Sequence, residues 1–194
     1  MASSNLSDKP IGVLGAGNFG TVIANILAQN RPVLLYARNP EVVRQINEQR
    51  ANRGHHIEPG VKAVNDLSEV ARSCDVIFPM VPSSHFRDLM RQLAEHLRPY
   101  HILIHGTKGF DITLPPGETI ESVTTLDRSQ VKTMSEVIRE ETSVVRVGCL
   151  AGPNLARELA QRQPGATVVA SPFKEVFQVG RLLLRNNRFR VLEY

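Results

Sequence analysis

Ile11-Gly12-Val13-Leu14-Gly15-Ala16-Gly17-Asn18-Phe19-Gly20-Thr21-Val22-Ile23-Ala24-Asn25-Ile26-Leu27-Ala28 is the stretch that decides the fold. Its first four residues form an apolar run of strand length, and a Gly-x-Gly-x-x-Gly follows. Beyond the glycines, Val22, Ile23, Ile26 and Leu27 fall on one face of a helix expected over residues 21–28. Strand, glycine turn and helix in that order open a βαβ unit that binds a dinucleotide. Gly15 permits the tight turn, and Gly17 lets the backbone approach a pyrophosphate. Gly20 lets the helix pack close to the strand, and the helix N-terminus faces the anion. The glycine pattern alone occurs in many unrelated turns, so its weight comes from this setting.

Outward from this unit, apolar runs of four to six residues alternate with stretches of helical period, which predicts a parallel sheet with helices on both faces. Strands are expected at 33–36, 75–81, 102–104, 144–150, 166–170 and 188–192. Helices are expected at 41–49, 86–96, 132–141, 155–161 and 173–184. Residues 52–62, with Gly54, Pro59 and Gly60, read as a loop, and 111–130 as a long connector containing Pro and Thr. The expected architecture is one α/β, doubly wound, Rossmann-type domain over 11–194, preceded by a flexible leader, 1–10.

Composition agrees with a soluble globular protein, at 42% hydrophobic and 22% charged residues. Lys and Arg number 23 against 19 Asp and Glu, a mild excess that suits an anionic small ligand. The positive residues are scattered along the sequence, so nucleic-acid binding gains no support. Cys74 and Cys149 stand far apart with no Cys-x-x-Cys, which argues against a disulfide framework or zinc and for a reducing, cytoplasmic setting. No apolar run reaches membrane-spanning length.

The expected strand ends carry the chemistry. Where a site specific for NAD places an acid, the second strand ends in Tyr36-Ala37-Arg38-Asn39. Arg38 therefore suits the 2′-phosphate of NADP, or stacking on the adenine, against the alternative of a solvated surface charge. Val81-Pro82-Ser83-Ser84 ends the next strand on the ligand-binding edge, either shaping the loop under a nicotinamide or simply stopping the strand. Lys108, in Gly106-Thr107-Lys108-Gly109, either reaches into the same crevice or is solvated. Gly152 reads as a turn residue and Asn154 as a helix N-cap. His101 and His105 share one strand face without a third ligand at metal spacing, and His55-His56 lies in a polar loop, so no metal is expected. The serines lack the elbow of a serine hydrolase.

Taken with Met134-Ser135-Glu136-Val137-Ile138 and Ala151-Gly152-Pro153-Asn154-Leu155-Ala156, these motifs occur in the order and approximate spacing of one family. The sequence resembles the NAD(P)-dependent glycerol-3-phosphate dehydrogenases across nearly its whole length. That resemblance implies reduction of dihydroxyacetone phosphate to sn-glycerol 3-phosphate with NADPH or NADH. It implies cofactor contacts by Gly15, Gly17, Asn18, Phe19, Gly20, Arg38, Lys108 and Ala156, and substrate contacts by Lys108, Gly152 and Asn154. Two departures stand out: Asn154 replaces a frequent Ser or Thr, and the 111–130 connector is longer than in many bacterial members. In the family a helical second domain follows, bringing a catalytic Lys in a Lys-Asn pair and an Arg that clamps the substrate phosphate. The general acid is thus expected outside these 194 residues, and a homodimer is expected of the whole enzyme. A dehydrogenase of the 6-phosphogluconate or β-hydroxyacid type, and a stand-alone regulatory NAD(P)-binding module, are the competing readings.

Overall fold

The computed structural model describes residues 7–193; the part of the expected leader before Ser7 lies outside them. Ser7 and Lys9 both hydrogen-bond to Asp75, at 2.6 and 2.7 Å.

The chain runs β1 (Ile11–Leu14), α1 (Asn18–Ala28), β2 (Val33–Tyr36), α2 (Pro40–Gln49), β3 (Ala51–Asn52), β4 (His55–His56), β5 (Val61–Val64), α3 (Leu67–Ser73) and β6 (Val76–Pro79). It continues with α4 (Phe86–Ala94), β7 (Ile102–His105), β8 (Phe110–Ile112), β9 (Val131–Thr133), α5 (Met134–Glu141), β10 (Arg146–Ala151), α6 (Ala156–Ala160), β11 (Gly165–Ala170), α7 (Lys174–Leu184) and β12 (Phe189–Glu193). The main sheet has eight strands in the order β12-β11-β10-β7-β6-β1-β2-β5. From β5 to β10 every pairing is parallel, whereas β11 turns back antiparallel to β10 and β12 follows β11.

Period-two alternation in the central strands explains the two helical layers. Ile11, Val13, Val33, Leu35, Val76, Phe78, Ile102 and Ile104 enter one core with side chains from α1, α2 and α7. Leu14, Leu34, Ile77 and Leu103 point the other way, into a core with residues of α3, α4 and α5. Strands apolar on both faces are what a sheet covered on both sides requires.

Several sequence expectations change. The region 52–62 is not a plain loop: β3 and β4 pair antiparallel as a hairpin, and β5 begins at Val61. Neither β5 nor α3 is among the expected elements. The connector between 111 and 130 is bracketed by a small antiparallel sheet of β8 and β9, so the helix expected from 132 starts at Met134. There Thr133 and Glu136 form a reciprocal capping box that fixes the start.

Candidate functional site

Counted from β5, the parallel strands follow the order β5-β2-β1-β6-β7-β10, which is the 3-2-1-4-5-6 of a doubly wound sheet. The chain reverses its winding between β1 and β6, and ligands of such sheets bind at the carboxyl ends of the strands around that point. The motif residues all follow those ends: Gly15 after β1, Arg38 after β2, Met80 to Ser83 after β6, Lys108 after β7, and Gly152 with Asn154 after β10. Four inter-strand steps of about 4.8 Å separate β2 from β10, so the row is about 19 Å long.

The glycines take different roles in the geometry. Gly15 has φ +112°, a conformation that favours glycine, and its N–H donates to the Tyr36 carbonyl at 3.0 Å. A Cβ on Gly20 would lie 1.9 Å from the Gly15 carbonyl oxygen, so only glycine lets α1 sit this close to the turn. Gly17 is the N-cap of α1 at φ −75°, and a Cβ there would meet nothing within 4 Å. Its backbone therefore faces open space. No side chain caps α1 and its first turn holds no acid, which leaves the leading amides and the positive end of the helix for an anion.

Helix α1 also begins at Asn18, three residues before its expected start at Thr21, so Asn18, Phe19 and Gly20 form its first turn. Asn18 is exposed, whereas Phe19 packs against the core. Its ring, with Met80, closes over Gly106, where an added Cβ would lie 3.0 Å from Phe19 Cε1 and 2.5 Å from Met80 Sδ. The ends of β1, β6 and β7 are thus in mutual contact. The Met80 N–H donates to the Leu14 carbonyl, and the Gly106 N–H to that of Pro79.

Lys108 is exposed on a loop held on both sides. The Thr107 hydroxyl donates to the Val81 carbonyl at 2.7 Å, and Gly109, at φ +110°, abuts Ser83. Beneath it, His105 is buried, with Nε2 2.9 Å from the Ser135 hydroxyl and its ring edge-on to Phe86. Burial pushes the His105 imidazole down to about 4, so it is neutral near pH 7. This pair gives the Met134 to Ile138 motif a place: Ser135 meets His105, Glu136 caps α5, and Met134, Val137 and Ile138 are core. His101 is held by backbone groups of Ala71 and Arg98, and no group of three His, Cys, Asp or Glu among the described residues is arranged for a metal.

Arg38 is exposed beside Tyr36, whose phenol burial raises while the Arg38 charge opposes the shift. Gly152 has φ +141°, and Asn154 Nδ2 sits over it. Asn154 is not the expected N-cap: Leu155 holds that position, and α6 starts at Ala156, which packs against the α1 side of the core.

Two residues of the site were missed. Asn52, only 3% exposed, donates its amide to the Ala16 carbonyl at 2.9 Å and to the Thr21 hydroxyl at 2.8 Å. Its neighbour Arg53 donates Nε to the same Ala16 carbonyl at 3.3 Å. A groove of 1520 Å³ lies elsewhere, between α7, β12 and the outer face of α1, and is lined by Arg181, Arg185, Arg188 and Arg190 among others. Strand topology and the glycine loop place the candidate site at the carboxyl edge.

The sheet order, the glycine turn at the reversal of winding and the open helix N-terminus define a dinucleotide-binding domain of the doubly wound class. Residues 10–177 match the family described as NAD-dependent glycerol-3-phosphate dehydrogenase N-terminus, and the chain belongs to that family. It is 39% identical over 188 residues to a glycerol-3-phosphate dehydrogenase [NAD(P)+] of Pseudomonas fluorescens strain SBW25, covering 94% of this chain and 50% of the relative. A protein of the same name from Azotobacter vinelandii is 34% identical, with 96% and 51% covered. Among solved structures, the glycerol-3-phosphate dehydrogenase of Coxiella burnetii superposes with a TM-score of 0.79 at 25% identity, covering 96% of this chain and 54% of that one. That of Dunaliella salina reaches 0.83 at 18% identity, covering 96% and 33%, a likeness of fold. The chain spans about half the length of the curated relatives it matches.

Proposed function

We propose that these residues form the cofactor-binding half of an enzyme that reduces dihydroxyacetone phosphate to sn-glycerol 3-phosphate with NADPH or NADH. The observation that carries this reading is the contrast at the glycine turn. Gly20 is filled to contact by protein, while Gly17 opens onto empty space at a helix N-terminus with no acid in its first turn. A pyrophosphate fits there, with Arg38 at the adenosine end of the row and Lys108 at the other. When bound, the nicotinamide supplies the hydride. The chain's own part is to orient: Phe19 and Met80 form an apolar floor over Gly106 that favours the uncharged face of a ring, and Lys108 offers a cation to a substrate phosphate or hydroxyl. Gly152 and Asn154 extend the substrate end. The proton for the product alcohol is assigned to a Lys outside these residues.

Small molecules are the partners this reading requires. No helix among the described residues is long and apolar enough to cross a membrane. A cytoplasmic setting and a homodimer of the whole enzyme belong to the same proposal, the former supported by the unpaired thiols of Cys74 and Cys149. The test is to join this chain to the second half of the Pseudomonas fluorescens relative and follow NADPH oxidation. Oxidation dependent on dihydroxyacetone phosphate, and lost in Lys108→Ala, is expected. A joined protein that binds NADPH but turns over a β-hydroxyacid instead would overturn the substrate assignment.

A further inference from the structure

The β3–β4 hairpin rests on the dinucleotide site, and its fit is built in. Asn52 and His55 pair across a two-residue turn in which Arg53 and Gly54 both take positive φ, 50° and 79°. This is the type I′ geometry that matches the twist of paired strands. Asn52 pins the base of the turn to Ala16 and Thr21, at the start of α1. Asn25, farther along α1, holds the other strand: its amide donates to the His56 carbonyl at 2.7 Å and its oxygen accepts from the Glu58 N–H at 3.0 Å. Ile57 between them is fully buried. The hairpin tip is therefore fixed over the residue between the first two glycines of the turn.

We infer that Arg53 is a further cation of the dinucleotide site, held by Ala16 so that its guanidinium meets the pyrophosphate at the N-terminus of α1. Its Nε–H is spent on the Ala16 carbonyl at 3.3 Å, the one hydrogen bond it makes among the described residues, which leaves both terminal nitrogens to donate. A guanidinium presents those nitrogens as a fork that matches two phosphate oxygens. The neighbouring Gly54 has nothing within 4 Å of a would-be Cβ, and Gly17 likewise, so protein crowds neither the tip of the hairpin nor the N-terminus of α1 at these two positions. The assignment rests on the reading that α1 receives a dinucleotide. It gives the two arginines different parts of that ligand. Arg53 serves the pyrophosphate common to NADH and NADPH, and Arg38 the ribose end where the two differ.

Arg53→Asn isolates the guanidinium without harming the turn, because Asn-Gly is the pair that type I′ turns favour. Calorimetric titrations with NADPH, NADH, ADP and adenosine 2′-monophosphate compare the variant with the parent protein. Dissociation constants for NADPH, NADH and ADP should each rise about tenfold, as loss of an exposed charge-assisted contact requires, with adenosine 2′-monophosphate unchanged. The rise should shrink in high salt, because the contact is open to screening. Arg53→Lys, which keeps the charge and loses the fork, should fall between. Unchanged ADP affinity in a folded Arg53→Asn protein would overturn the inference, as would a loss confined to NADPH. Failure of the parent protein to bind any dinucleotide would remove the underlying reading, and the inference with it.

Discussion

Gly17 and Gly20 stand three residues apart in one motif, yet the structure requires opposite outcomes when each is enlarged. A Cβ at Gly20 would lie 1.9 Å from a backbone carbonyl, and that oxygen belongs to Gly15, whose own φ of +112° leaves it little room to move. Ala is favoured over Gly inside a helix by about 1 kcal/mol, which works for the substitution. Overpacking against backbone costs about 1–3 kcal/mol and sits at the upper end here, because no flexible side chain can yield. Gly20→Ala should therefore lose about 2 kcal/mol, a melting point lower by about 4–8 °C. A Cβ at Gly17 meets nothing within 4 Å at φ −75°, so the cost of Gly17→Val is set mainly by a poorer N-cap, about 1 kcal/mol. Binding is another matter. The valine side chain occupies the space assigned to the pyrophosphate, and loss of even two charge-assisted N–H contacts weakens NADPH at least about a hundredfold. Thermal melts of both variants without ligand, paired with NADPH titrations, separate fold from site. A Gly17→Val protein that binds NADPH like the parent, or a Gly20→Ala protein that melts with it, would refute the division of labour.

Three further outcomes are expected. Arg38→Asp should reverse the preference between NADPH and NADH, with a change of about ten- to a hundredfold in the ratio of dissociation constants; an unchanged ratio returns Arg38 to a plain surface charge. Because burial lowers the His105 pKa from its ordinary 6.5 to about 4, the unfolded chain takes up a proton that the folded one refuses as pH falls through that window. The stability tied to it is full above pH 6.5 and declines toward pH 4 by up to about 3 kcal/mol, so melts of His105→Gln should show a shallower acid dependence than the parent. These 194 residues alone should bind NADPH without oxidising it in the presence of dihydroxyacetone phosphate, since positioned proton transfer is worth about 10²–10⁴ in rate and the donor is assigned elsewhere; steady turnover in preparations free of host enzyme would force the acid to be found within this chain.

What was legible in the sequence follows from how local each signal is. The bounds of β1 and β2 match the structure because each is a short apolar run with sharp breakers, and the glycine turn reads correctly because its demands lie within six consecutive residues. Strand β5 was hidden by Lys62 in its middle and by Gly60 just before it, while Val61, Ala63 and Val64 carry its burial. Helix α3 is under two turns long and buries only Val70 and Ala71, too few to show a period; the Asp66 N-cap was its signal. The hairpin of β3 and β4 has two-residue strands that pair only with each other, and the trace it leaves in sequence is the Arg53-Gly54 turn. Nothing local could place Asn52 or Arg53 against Ala16, contacts that span 36 and 37 positions. The antiparallel return of β11 was likewise not signalled, because α6 reads as one more crossover helix although it covers only five residues.

Amide chemical shifts of the isotopically labelled chain, followed through a titration with NADPH, put the site to the most direct test. If the carboxyl edge of the sheet holds the dinucleotide, the shifts will concentrate in Gly15 to Gly20, Arg38, Arg53, Met80 to Ser83 and Gly106 to Lys108. Shifts gathered instead along Arg181, Arg185, Arg188 and Arg190, in the groove beside β12, with the glycine turn unmoved, would contradict the account.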